Sequence, residues 1–425
     1  MKQGEPSTLV ADNGYSRGYS LPQDHHGKKH FYFFLYVLFL LVLTYAVLDF
    51  QTSANSVVKT GERGGVHASL FVILLVFGIY YAFTFWRGNL FSPVIASMWL
   101  IAVWVGIANL ALNTINWSAG IHFGLSCLWI LMYHFFRYYI QRYPASLSRI
   151  KGFMAVMFLF YVYSAVYAMR SIHDYRLQMG HEQVGVINMA YNVIVFLPWL
   201  SLVSKKWLRF CGIGLVTLIV VASMKRGAII IFPIMMTTWM LVEASVNKRR
   251  VGMPVLKIII TLLIFIAGLF VADRLSNGYL SERFSSKELA TGSGRAHSYS
   301  FVLKDASGRG VVDLLLGYGS GLSKGVHNEW LEFLFTFGFV GVVLYALLFL
   351  SLMYKARHLM KNGSPCAAGF AMAVVYMFVV GMYGGIYFVH STLYVMMFYG
   401  VAEGLMLNDS KESQISGSNY GACAT

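Results

Sequence analysis

Long apolar runs separated by short polar stretches recur along the whole chain. Crossing a hydrocarbon core about 30 Å thick takes about 20 helical residues. On that measure the pattern predicts twelve spans: Phe31 to Leu48, Ser69 to Trp86, Phe91 to Leu112, Ile121 to Phe136, Gly152 to Met169, Val184 to Val203, Trp207 to Ser223, Gly227 to Ala244, Val255 to Ala272, Trp330 to Met353, Ala367 to Met382, and Thr392 to Leu407. Hydrocarbon leaves an open backbone without hydrogen-bond partners, so the spans are expected to be helices. The predicted fold class is all-α: a polytopic integral membrane helix bundle with one large loop between the ninth and tenth spans. Residues 1–30 read as a disordered tail, 31–272 as the first nine spans, 273–328 as the loop, 329–408 as the last three spans, and 409–425 as a second tail.

Composition supports this reading. The chain is 57% hydrophobic and 12% charged over 425 residues, against about 25% charged in soluble domains. The net charge of +15 invites a nucleic-acid partner, but its distribution argues against one. Lys28-Lys29 precede the first span. Arg142, Arg149 and Lys151 follow the fourth, Lys205-Lys206 the sixth, Lys248-Arg249-Arg250 the eighth, and Lys355 and Arg357 the tenth. Basic residues collect in cytoplasmic loops and set orientation, which predicts cytoplasmic termini. The first thirty residues lack the cationic start and cleavage site of a secretory signal. Cys127 and Cys211 fall within spans while Cys366 and Cys423 fall on the inner side, so no disulfide is expected.

Two basic groups break the alternation. Lys225-Arg226 lie at the outer end of the seventh span. The loop from Asp273 to Val326 carries Arg274, Arg283, Lys287, Arg295, Lys304, Arg309 and Lys324. Long translocated segments escape the orientation rule, yet their charges still cluster. Ser293-Gly294 could open a helix from Arg295 to about Asp305, with Gly308 and Gly310 ending it. Gly317 to Gly321, GYGSG, can fold the chain tightly back on itself and bring His327 to the membrane surface. The helix starting near Asn328 presents unpaired N–H groups and a positive dipole end, a favourable place for an anion. Four residues make about one turn, so Glu332 lies one turn below Asn328.

The segments SMKRGA (Ser223 to Ala228), SGR (Ser293 to Arg295), GYGSG, and HNEWLE (His327 to Glu332) followed by FTFGFVGVVL occur in that order. Together they resemble the bacterial O-antigen polymerase and O-antigen ligase superfamily, over about half the chain. The resemblance implies a metal-independent, cofactor-free glycosyltransferase of the bacterial inner membrane. Its donor would be a glycan on undecaprenyl diphosphate, used at the periplasmic side. The cationic and histidine positions of the family map onto Arg226, Arg295 and His327. Two departures, AHSYS after SGR where an aromatic residue is common and Trp330 where aliphatic residues are usual, bear on acceptor shape.

Elementary chemistry points the same way. A sugar diphosphate leaves well only when its developing charge is stabilised, and planar arginine forks do this bidentately. The chain shows no Asp-x-Asp pair or carboxylate cluster of the kind that holds Mg²⁺ or Mn²⁺. An acceptor hydroxyl needs a base, and histidine titrates nearest neutrality. The expected catalytic residues are His327 and Glu332, the latter as orienting partner or as the base itself. Arg226, Arg295 and Asn328 are expected to bind diphosphate, and Arg283, His297, Arg170 and Arg176 to offer further donor or acceptor contacts.

Expected partners are a lipid-linked oligosaccharide acceptor, the membrane itself, and as a candidate a chain-length regulator. Polymerisation of O-antigen or a related capsule or exopolysaccharide is favoured over ligation of a finished glycan to the lipid A core. A transporter or flippase should show internal repeats and ionisable groups near mid-membrane. Here no segment recurs at a fixed period, and the polar residues concentrate at one outer edge.

Overall fold

The computed structural model describes residues 92–178, 189–247, 252–285, 295–320, 326–385, 387 and 391–421, with parts of 32–47 and 72–79. Among the described residues every element is helical and there is no strand. In chain order these are α1 (Pro93–Ala111), α2 (Trp117–Arg142), α3 (Ser146–Gln178), α4 (Met189–Ile194), α5 (Leu197–Ser201), α6 (Lys206–Ala222) and α7 (Arg226–Val246). There follow α8 (Gly252–Leu275), α9 (Tyr279–Arg283), α10 (Arg295–Gly308), α11 (Val311–Leu316), α12 (Glu329–Lys361), α13 (Ala367–Gly381) and α14 (Ser391–Gly421).

Six helices among the described residues are long and apolar enough to cross a membrane: α1, α2, α3 over Ser146–Arg170, α7, α8 over Met253–Leu275, and α12. Leu35–Thr44, Met189–Ser201 and Ala367–Gly381 are shorter apolar helices. The predicted span from Val184 to Val203 is interrupted, because the chain turns at Val195-Phe196 before α5. Pro198, in the first turn of α5, has no N–H to continue the ladder of α4. Several starts are capped as the residue types suggest. Ser92 accepts the N–H of Ile95 at 3.3 Å, and Asn116 accepts that of Ala119 at 2.9 Å.

Without water to drive apolar faces together, helices in lipid associate by close packing of small residues. Gly400 and Gly404 of α14 lie one turn apart against α2. A Cβ on Gly400 would sit 2.3 Å from Tyr133 O, and one on Gly404 2.6 Å from Arg137 O. By contrast, α8 is peripheral, with only 6% of its apolar stretch buried.

Three helices share a buried ionic cluster at the far end of α2 and α12 from His327. Glu403 of α14 is 1% exposed; it accepts the Tyr133 hydroxyl and the Lys355 ammonium at 2.6 Å. Arg137 stands 3.7 Å from the same carboxylate. Polar residues are therefore not confined to one edge, in contrast to the expectation from sequence. The cluster was hidden because its members lie on three helices distant in sequence.

One helix is broken in a way that bears on the site. Within α12, Gly338 adopts φ 68° and ψ −168°, which frees carbonyls of the preceding turn. The chain from Gly317 onward fills the gap: Tyr318 N–H donates to Phe335 O at 3.0 Å and Gly319 N–H to Thr336 O at 2.8 Å. Trp104 Nε1–H donates to Phe337 O at 2.9 Å. Non-helical backbone at such depth is tolerated when protein groups take up its hydrogen bonds. Gly317 itself fits only without a side chain, since a Cβ would lie 2.5 Å from Gly338 N. Ser320 N–H then docks on Asn109 Oδ1 of α1 at 2.8 Å. Arg309, at the end of α10, holds the other side. It donates to Asp305 at 2.8 Å and to Leu334 O at 3.1 Å, with its guanidinium 4.0 Å from the Tyr318 ring centre.

Candidate functional site

The clamps on α12 fix the residue that precedes it. His327 adopts φ 55°, the left-handed region that side chains other than Asn, Asp and His rarely enter. Three neighbours hold it there. Tyr299 of α10 donates its hydroxyl to His327 O at 3.1 Å. Asn328 caps α12 by accepting the N–H of Leu331 at 3.1 Å, while its amide donates to Met382 O at 2.8 Å. Glu332 reaches back one turn to accept the N–H of Val326 at 2.9 Å and takes the Thr336 hydroxyl at 3.4 Å. Glu332 therefore supports the turn through the backbone beside His327.

Arg295 is the first residue of α10. One of its N–H groups donates to Tyr383 O at 2.9 Å, just after α13. The Tyr383 hydroxyl donates to Gly227 O at 2.8 Å in the first turn of α7. Gly227 must be glycine for this packing, because a Cβ would lie 1.9 Å from Tyr191 Oη and 2.4 Å from the Tyr383 ring. Lys225, immediately before α7, has its ammonium 5.9 Å from the Tyr191 ring centre. The starts of α7 and α12 thus meet Arg295 of α10 around the turn after α13, with two cations and one imidazole.

The electrostatics of His327 follow from this. The residue is exposed, yet partial loss of hydration holds its pKa below the ordinary histidine value. The positive charges of Arg295 and Lys225 push the same way, and Glu332 opposes them. The lowered pKa favours the neutral imidazole, the form in which it can accept a proton.

The structure brings together Arg295, His327, Asn328 and Glu332. Arg226 opens α7 and is half-buried, next in sequence to Lys225. His297 is exposed on α10, two residues beyond Arg295. Arg170 is exposed on α3, which packs mainly on α4, α6 and α2. The side chains of Arg176 and Arg283 lie outside the described residues, as do Lys287, Ser293, Gly294, Gly321 and Lys324. Sequence reasoning gave no part to Tyr191, Tyr299 or Tyr383. It also passed over Glu329, 1% exposed at the first position of α12. The one available signal was Tyr383-Gly384-Gly385, an aromatic and glycine turn at an expected outer edge. Among the described residues no three His, Cys, Asp or Glu side chains gather as metal ligands.

No protein-family model matches this chain, and no curated protein matches it either.

Proposed function

We propose that this protein is a glycosyltransferase of the bacterial inner membrane that polymerises lipid-linked oligosaccharide repeat units into O-antigen or a related surface polysaccharide. In this reading twelve spans cross the bilayer, both termini are cytoplasmic, and the His327 site faces the periplasm. One observation carries the proposal: the starts of α7 and α12 converge with Arg295 and Lys225 beside a histidine whose pKa is held below its ordinary value. Such a place favours an anion and holds a base next to it.

The donor is a glycan on undecaprenyl diphosphate. Arg295, Arg226 and the Asn328 turn bind its diphosphate, and His327 takes the proton of an acceptor hydroxyl. The hydroxyl oxygen bonds to the anomeric carbon from the face opposite the leaving group. The bond from that carbon to the phosphate oxygen breaks, and undecaprenyl diphosphate departs with the electron pair. The configuration at carbon inverts. Positive charge fixed in advance around the diphosphate is the main source of acceleration.

The test is the glycan profile of the native host carrying His327→Ala, with membrane insertion confirmed and lipid A-linked and undecaprenyl-linked material separated. Loss of long chains with a single repeat unit still attached to lipid A, or loss of capsule polymer, supports polymerisation. Long chains stranded on undecaprenol would reassign the protein as a ligase. An unchanged profile would remove His327 from catalysis.

A further inference from the structure

We propose that Lys225 is a phosphate-binding residue of this site, working with Arg295 beside the Tyr191 and Tyr383 side chains. The inference rests on the reading above and adds to it a residue that the motif match, which points to Arg226, does not name.

Local geometry sets Lys225 in place. Its backbone N–H donates to Ser223 Oγ at 3.3 Å, and that hydroxyl donates to Val220 O at 2.8 Å at the end of α6. Between them Met224 is held at φ 52°. Among the described residues the non-glycine positions with positive φ are Asn113, Met224, Asn277 and His327. Asparagine and histidine enter this region more often than other side chains, whereas methionine does so rarely and under strain. A short turn between α6 and α7 could have used glycine or asparagine at 224 without that strain. The strained residue, Met224, directly adjoins Lys225. Backbone strain of this kind clusters at functional sites.

The side-chain geometry is consistent with a shared ligand. The Tyr191 hydroxyl and the Tyr383 ring both press on Gly227. Lys225 lies over Tyr191 at 5.9 Å, and Arg295 is tied to Tyr383 O at 2.9 Å. Both cations therefore stand at this aromatic pair. Their chemistry differs usefully: Arg295 is a planar fork with one donor already committed, while lysine is a point charge with three rotatable donors on a flexible stem. A diphosphate offers oxygens for both, and a lysine can follow the charge that grows on the leaving phosphate.

The experiment measures binding of farnesyl diphosphate to the detergent-solubilised full chain, in wild type, Lys225→Gln, Lys225→Met, Lys225→Arg and Lys206→Gln. Lys206 is an exposed residue at the far end of α6. Lys225→Gln and Lys225→Met are expected to weaken binding by about tenfold, Lys225→Arg by less than about threefold, and Lys206→Gln not at all. The methionine variant keeps the apolar stem over Tyr191, so loss of binding there with an unchanged melting curve is not a folding defect. A second readout follows the charge: Lys225→Gln should move the acid limb of the pH–activity profile upward, because one cation that depresses the His327 pKa is gone. Wild-type binding with unweakened binding by both neutral variants overturns the role of Lys225 and leaves the proposed function standing. Absence of farnesyl diphosphate binding by wild type overturns the diphosphate reading itself.

Discussion

Replacing Gly338 by alanine should separate α12 from the loop that fills its break. At φ 68° and ψ −168° the backbone occupies a region essentially reserved for glycine, where another residue is strained by about 1–3 kcal/mol. The new Cβ would also lie 2.2 Å from Leu315 O and 2.6 Å from Gly317 N. Both obstacles are backbone, so relief requires the segment around Gly317 to move away. That movement endangers the bonds from Tyr318 N–H to Phe335 O and from Gly319 N–H to Thr336 O. Stranding one buried backbone group costs about 1–3 kcal/mol; together with the strain, the expected loss is about 2–6 kcal/mol. Set against a typical total of about 5–15 kcal/mol, this is severe. Thermal unfolding of the detergent-solubilised full chain should show a clear fall, and limited proteolysis should cut faster between Gly317 and His327. Gly214→Ala is the control, since nothing lies within 4 Å of a Cβ there and alanine favours a helix interior. If Gly338→Ala melts with wild type and is cut no faster, the re-entrant packing described here is wrong.

Other perturbations test neighbouring links. Glu332→Ala removes the acceptor of the Val326 N–H and should cost about 1–3 kcal/mol; it should also lower kcat through a displaced His327, and unchanged kcat would deny it a positioning role. Glu403→Ala leaves the buried Arg137 and the half-buried Lys355 without their carboxylate, so a destabilisation of about 3–5 kcal/mol is expected; a melting curve like that of wild type would contradict the cluster. Activity should be constant near neutrality and fall only at a pH below the ordinary histidine value of about 6.5, because Arg295, Lys225 and partial burial depress the His327 pKa. A limb above that value would mean that another group titrates. Arg295→Lys keeps the charge but loses the fork, and full activity in that variant would rule out bidentate diphosphate binding.

Much of the helical plan was legible because hydrophobic length is a strong signal when backbone groups must be satisfied internally. The end of α10 at Gly308 and the start of α12 next to Asn328 could be read from glycine punctuation and a capping residue. Other features depended on distant partners. The break at Gly338 looks in sequence like an ordinary glycine in a membrane helix, and only the docking of Gly317 and Tyr318 makes it a junction. The interruption between α4 and α5 was masked by the high hydrophobicity of the run around Pro198. In the candidate site, residues close in sequence were grouped readily. Tyr383 and Tyr191 come from other helical segments and join Arg295 to α7 only through tertiary contacts.

The most direct measurement is elongation in proteoliposomes containing only this protein and a radiolabelled repeat unit on undecaprenyl diphosphate, with a metal chelator present. The account predicts a ladder of lengthening chains and stoichiometric release of undecaprenyl diphosphate, both lost in His327→Ala. Unchanged repeat units with the wild-type protein, or elongation that persists without His327, would contradict it.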